Sequence, residues 1–131
     1  MTSFLTRDRL EPARFAAEVG ADECGAVLLF LGTVRSSLED GDVEGIEYSA
    51  YVPMAEAEFG RIVEEARERW PEARIALRHR LGWIPTGEAS IGIAVATPHR
   101  AEAYDCSRFL IEETKKRVPI WKNVKTALET R

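Results

Sequence analysis

Period-two alternation and helical spacing take turns along this chain, and each change of period marks an element boundary. Phe4 to Leu10 predicts a short edge strand. Glu11 to Val19 predicts a short helix that tolerates Pro12 in its first turn and stops at Gly20. Cys24 to Val34 is a nearly continuous apolar run with β-branched and aromatic members, the pattern of a central strand covered on both faces. Ser36 to Asp42 is polar and acidic and contains Gly41, so a loop is expected. Glu44 to Tyr51 sets Ile46, Tyr48 and Ala50 against Glu47 and Ser49, as in a half-buried strand.

After Pro53 the spacing becomes helical. Met54, Phe59, Ile62, Val63, Ala66 and Trp70 share one side, glutamates and Arg67 take the other, and Pro71 ends the run. Arg74 to Gly82 returns to alternation, with Ile75, Leu77 and His79 on one face. Pro85-Thr86-Gly87 has turn chemistry and Glu88 to Ala96 is a second apolar strand, so the two strands should pair across a wide loop. Thr97-Pro98 supplies an N-cap and a first-turn proline for a helix reaching about Arg117, and Ile120 to Leu128 can add a short strand. The expected fold is a single α+β domain over residues 1–131, with helices packed on a mainly antiparallel sheet.

Composition narrows the function classes. The 131 residues suffice for one core, and 45% hydrophobic with 31% charged residues is ordinary for a soluble globular protein. No apolar run has membrane-spanning length and Met1 to Arg7 lacks a signal-peptide core, so a cytoplasmic location is expected. Cys24 and Cys106 stand in no metal or redox spacing and read as reduced thiols. The net charge of −4 weighs against nonspecific nucleic-acid binding. Thr97 to Arg131 nevertheless carries net +3 and the remainder −7. A cationic region on an acidic protein suits a small anion or an acidic tail.

Three places concentrate that positive charge. Arg35 closes the apolar run after Gly32, a glycine that permits close approach of another backbone or a ligand, and a guanidinium there can grip a phosphate. His99 and Arg100 fall at the start of the last helix, where free N–H groups already favour an anion. Lys115 and Lys122 flank Pro119, which fixes the exit angle of the chain. Trp121 beside Lys122 is expected to form an apolar wall that pushes the lysine toward its neutral form. His79, between Arg78 and Arg80, reads as structural. No metal-ligand cluster, nucleophilic triad or phosphate-binding loop competes with this pocket.

Lys115-x-x-x-Pro119-Ile120-Trp121-Lys122 resembles the signature of the large, catalytic subunit of molybdopterin synthase. Gly32-Thr33-Val34-Arg35, Tyr51-x-Pro53-Met54, His79-Arg80-x-Gly82 to Gly87-Glu88, and His99-Arg100 are similar to further segments of that family, and the match extends from about Gly25 to Lys122. The resemblance implies an α/β hammerhead fold and a homodimer within a heterotetramer. It implies a sulfurtransferase that builds the dithiolene of molybdopterin on cyclic pyranopterin monophosphate, without metal or redox cofactor. The sulfur donor would be a small ubiquitin-like partner whose Gly-Gly C-terminus carries a thiocarboxylate. By matching position, Lys115 would be nearest the chemistry with Lys122 its companion, and Thr33, Val34, Arg35, His99, Arg100, Asn123 and Val124 would complete the substrate site. The family commonly places a glutamate two residues after Trp-Lys, where this chain has Val124. A noncatalytic relative that only binds the ubiquitin-like partner, and a phosphoester hydrolase using His99 as base, are the competing readings.

Overall fold

The computed structural model describes residues 3–36 and 42–126. In chain order the elements are β1 (Leu5–Thr6), α1 (Pro12–Val19), β2 (Ala26–Thr33), β3 (Val43–Ala50), α2 (Val52–Arg69), β4 (Arg74–Arg80), β5 (Gly82–Pro85), β6 (Ala89–Thr97), α3 (Arg100–Arg117) and β7 (Ile120–Thr126). They form a four-stranded sheet in the order β1-β4-β6-β2 and a three-stranded sheet in the order β5-β3-β7. Every pairing is antiparallel except β1 with β4. The mainly antiparallel α+β architecture is therefore present, divided over two sheets.

β6 explains how helices cover both faces of the larger sheet. Ile91, Ile93 and Val95 join the core made with Phe59 and Ile62 of α2 and Leu110 of α3. Ala94 and Ala96 belong instead to a second cluster with Phe15 and Val19 of α1. Large residues alternate with small ones, and the small face lets α1 come close. A Cβ added to Gly92 would stand 2.7 Å from the Phe15 ring. Among the described residues no helix is long and apolar enough to cross a membrane.

Several boundaries differ from expectation, each for a physical reason. The strand within Cys24 to Val34 is not central: β2 is the sheet edge, and Val27 and Phe30 are 49% and 36% exposed. A continuous apolar run cannot distinguish an edge from a centre, whereas the large–small alternation of β6 marks the strand covered on both sides. The first strand shrinks to two residues. α3 starts at Arg100 with His99 at the N-cap, not at Thr97-Pro98. The Thr97 hydroxyl donates to the His99 carbonyl, and the Pro98 carbonyl accepts the Gly25 N–H at 3.2 Å, which ties this turn to the start of β2.

β4 and β6 pair as expected, but the segment between them is more than a loop, because β5 crosses into the other sheet. Gly82 and Gly87 turn its two corners with φ of 96° and 94°, a conformation other residues rarely adopt. Of the loop expected at Ser36 to Asp42, residues 37–41 lie outside the described residues, as do 127 and 128 of the last predicted strand.

Candidate functional site: a lysine pair between two sheets

The pocket lies where the end of β2, the inner faces of β3 and β7, and the last turn of α3 meet. It holds about 520 Å³, and Thr33, Val34, Arg35, Lys115, Lys122 and Val124 are among its walls. A larger hollow of about 1020 Å³ runs along α2, but its charged lining is dominated by glutamates, the wrong sign for an anion.

The end of β2 is fixed by its neighbours. The Val34 N–H donates to the Glu88 carbonyl at 3.0 Å, and the Val34 carbonyl accepts the Gly87 N–H at 2.7 Å. Val34 is thus buried and locked, while Arg35 emerges exposed at the pocket mouth. A register shift falls between Gly32 and Thr33. The space that Gly32 leaves is taken by Ile91, whose Cγ2 lies 2.7 Å from where a Cβ would be. The close approach predicted at Gly32 is therefore made by a side chain of β6, not by a ligand or a second backbone.

Lys115 is held by the end of α3. The Arg117 guanidinium donates to Glu58 at 2.7 Å, to Glu65 at 2.7 and 3.0 Å, and to Glu113 at 3.4 Å, which clamps this helix end to α2. These carboxylates raise the Arg117 pKa further above its ordinary value. The Thr114 hydroxyl donates to the Leu110 carbonyl at 2.7 Å and the Val118 N–H to the Thr114 carbonyl at 3.1 Å. Pro119 then directs the chain into β7.

Along β7, Lys122 is opposite Tyr48 and Val124 opposite Ile46, while Asn123 is opposite Glu47 and Trp121 opposite Ser49. Side chains alternate, so Lys122 and Val124 face the pocket and their odd-numbered neighbours face outward. Two expectations are corrected by this register. Asn123 is not a pocket residue, and Trp121, 62% exposed, is not the apolar wall beside Lys122. The wall is made by Tyr48, Ile91 and Ile111. Partial burial in this surround, and then the charge of Lys115, lower the Lys122 pKa. Among the described residues neither lysine has an ion-pair partner, and Val124 occupies the inward position from which a carboxylate could reach Lys122.

An annex of about 120 Å³ shares Tyr48, Ser90 and both lysines with the pocket and adds His79 and Thr114. His79 is 7% exposed and packs edge-on against the Tyr48 ring at 5.2 Å. Its structural role is real, yet it also borders the lysine pair. Burial, with Lys122 and Lys115 adding to it, pushes its pKa down to about 4, against a weaker opposing effect of its bond to the Arg80 carbonyl. Tyr48, Ser90, Ile91 and Ile111 are pocket residues that motif spacing did not single out, and His79, part of a motif, was read there as structural. Alternation in β3 and β4, and the four-residue step from Ile111 to Lys115, were the available signals.

His99 and Arg100 are not brought to this pocket. Both are exposed at the opposite end of α3, and fifteen residues of helix put Arg100 roughly 22 Å from Lys115. That is well beyond the reach of an arginine side chain.

Fold and site together define a small α+β protein whose two sheets and one helix end enclose a cationic pocket, suited to bringing an anionic ligand against two amines. The family model described as MoaE protein matches residues 5–117. A molybdopterin synthase catalytic subunit from Aedes aegypti is 44% identical over 119 residues, covering 90% of this chain and 77% of that protein. The Homo sapiens molybdopterin synthase catalytic subunit is 43% identical over 118 residues, covering 90% of this chain and 63% of that one. The crystal structure of molybdopterin synthase from Staphylococcus aureus superposes with a TM-score of 0.89 at 32% identity, covering 95% of this chain and 90% of its own. The complex of subunits 1 and 2 of molybdopterin-converting factor from Helicobacter pylori shares the fold, with a TM-score of 0.79 at 21% identity, covering 94% and 84%. The chain belongs to the MoaE family.

Proposed function

We propose that this chain is the catalytic subunit of a molybdopterin synthase, acting in the cytoplasm as a sulfurtransferase. Sulfur passes from the C-terminal thiocarboxylate of a small ubiquitin-like partner to cyclic pyranopterin monophosphate, forming the dithiolene. The relatives' names support this reading, and one observation carries it: Lys115 and Lys122 enter one pocket from different elements, and neither is neutralised by a carboxylate among the described residues. Such a pair can hold a thiocarboxylate, stabilise the oxyanion formed at its carbon, and move protons as sulfur transfers.

Arg35 at the mouth is the phosphate contact from the same chain, with Thr33 and Val34 lining the approach and Val124 supplying apolar wall. His99 and Arg100 can serve the same substrate only if a second copy presents its α3 N-terminus to this pocket. That arrangement is part of the homodimer reading. Asn123, turned outward, has no substrate role in it.

The test is single-turnover conversion of cyclic pyranopterin monophosphate by the protein with thiocarboxylated partner, wild type against Lys115→Ala. Dithiolene product from wild type, reduced about 100-fold or more in the variant while partner binding persists, supports the reading. Tight partner binding without product from wild type would leave a noncatalytic binding subunit, the outcome that Val124 in place of a glutamate favours.

A further inference from the structure

His79 makes only half of the hydrogen bonds its ring can make. Its Nδ1 lies 2.8 Å from the Arg80 carbonyl oxygen, so Nδ1 carries the proton it donates there and Nε2 keeps a lone pair. Among the described residues no group donates to Nε2. A core imidazole present only for packing would be expected to have both polar atoms satisfied or shielded. This ring instead borders the annex, with Lys122 from β7, Lys115 from α3, Tyr48 from β3 and Ser90 from β6 around the same space. From α2 the Phe59 ring lies 6.5 Å away, and the neighbouring Arg80 is turned to Glu88 at 2.8 Å. At about 120 Å³ the annex has room for several waters.

Sulfur transfer from a thiocarboxylate has a requirement of mass balance that such a place can meet. Once the thiocarboxylate sulfur has displaced an oxygen group from a carbon of the substrate side chain, breaking that carbon–oxygen bond, the partner's terminal carbonyl and the substrate are joined as a thioester. Freeing the partner breaks the carbonyl carbon–sulfur bond, and the oxygen that replaces sulfur comes from water. We propose, resting on the function above, that the annex holds this water and that Nε2 of His79 accepts its proton as the oxygen attacks the thioester carbonyl. The carbon–oxygen bond forms, the carbon–sulfur bond breaks, and the substrate sulfur leaves as a thiolate with the bonding pair. The partner is released as a carboxylate, its remaining acid proton passing to solvent. The proton on His79 moves on to the thiolate or to solvent, which resets the base.

The two lysines serve this step twice. Burial, with their charge adding to it, keeps His79 neutral before attack, so the lone pair is available near neutral pH. As the tetrahedral oxyanion forms between them its charge offsets theirs, and the imidazole becomes more basic when the proton must move.

His79→Phe and His79→Gln, each checked for folding by circular dichroism, are mixed with thiocarboxylated partner and cyclic pyranopterin monophosphate and quenched for mass spectrometry. The expected result is that partner–pterin adduct forms at the wild-type rate but breaks down at least about 10-fold more slowly, so that it accumulates. In wild type run in ¹⁸O-water, label should enter the partner's carboxylate. A folded His79→Phe that breaks the adduct down at the wild-type rate overturns the role of His79. Wild type that yields neither adduct nor product overturns the proposed function instead, which separates the two failures. If neither variant folds, the wild-type pH profile decides. Adduct breakdown that stays level from pH 8 to about 5 and falls toward pH 4 supports the proposal. Breakdown that shows no loss down to pH 4 overturns it.

Discussion

Lys122 stands directly across the β3–β7 ladder from Tyr48, and that single register decides which residues after Pro119 reach the pocket. A shift of one residue would turn Lys122 to solvent and bring Trp121 and Asn123 inward. Lys122→Ala should therefore reduce turnover by about 100-fold or more. Asn123→Ala, one residue on, should stay within about twofold of wild type, as surface changes away from a site do. Single-turnover rates of the two variants side by side check the register. Equal losses would mean that the strand is read from the wrong face.

The Lys122 amine should lose its proton at a lower pH than a free lysine, because burial and then the nearby Lys115 charge disfavour its ammonium form. Lys115→Gln removes only the second cause, so the Lys122 pKa should rise without returning to its ordinary value. Val124→Glu should also raise it, by placing a carboxylate on the same inward face. Chemical shifts of ¹³C-methylated Lys122 followed against pH in the three proteins give both directions. A Lys122 pKa that falls on losing Lys115 would sink the paired-cation description.

Much of this site could be read from the chain. Pro119 after Lys115-Lys116-Arg117 forces a helix end, and a helix end followed by an apolar residue and a lysine places two amines near each other. What could not be read depends on pairing partners. Whether Trp121 or Lys122 points inward is set by register with β3, a strand about seventy residues earlier, and local sequence carries no such information. The Cys24 to Val34 run is apolar enough for a sheet centre, yet β6 takes that position because its alternate small residues admit α1. The family resemblance assigns His99-Arg100 and Lys115 to one substrate site, but α3 itself separates them. His79 was legible as an inward residue of β4; the cavity beside it arises from the junction of two sheets.

Arg117 supports the site from outside it. Hydrogen bonds from Arg61 and then Arg117 hold the Glu58 carboxyl below its usual pKa, and Arg117 does the same for Glu65. A carboxylate depressed in the folded state contributes stability that is complete above its unfolded value, near 4.5, and is lost as pH falls through the folded value. Arg117→Met should lower Tm at pH 7, and its Tm should fall less steeply than that of wild type between pH 4.5 and 3. Added salt should narrow the gap, since these groups are partly exposed. Parallel slopes in acid would show that the clamp contributes nothing through its charges.

The distance between Arg100 and Lys115 makes the two-copy site testable without a structure of the assembly. One chain cannot bring both to one substrate, so under the two-copy reading proposed above Lys115→Ala and Arg100→Ala should damage different halves of a composite pocket. Each variant alone should be defective at both sites of its dimer. When the two are unfolded together and refolded, about half of the dimers are mixed by random association. Every mixed dimer then holds one pocket with an intact Lys115 from one chain and an intact Arg100 from the other, and one pocket lacking both. Such a mixture should recover about a quarter of wild-type product per chain in a single turnover, far above either parent. Recovery no greater than the average of the two parents would place His99 and Arg100 outside the substrate site altogether. Arg35 and the two lysines would then be the whole of the anion contact.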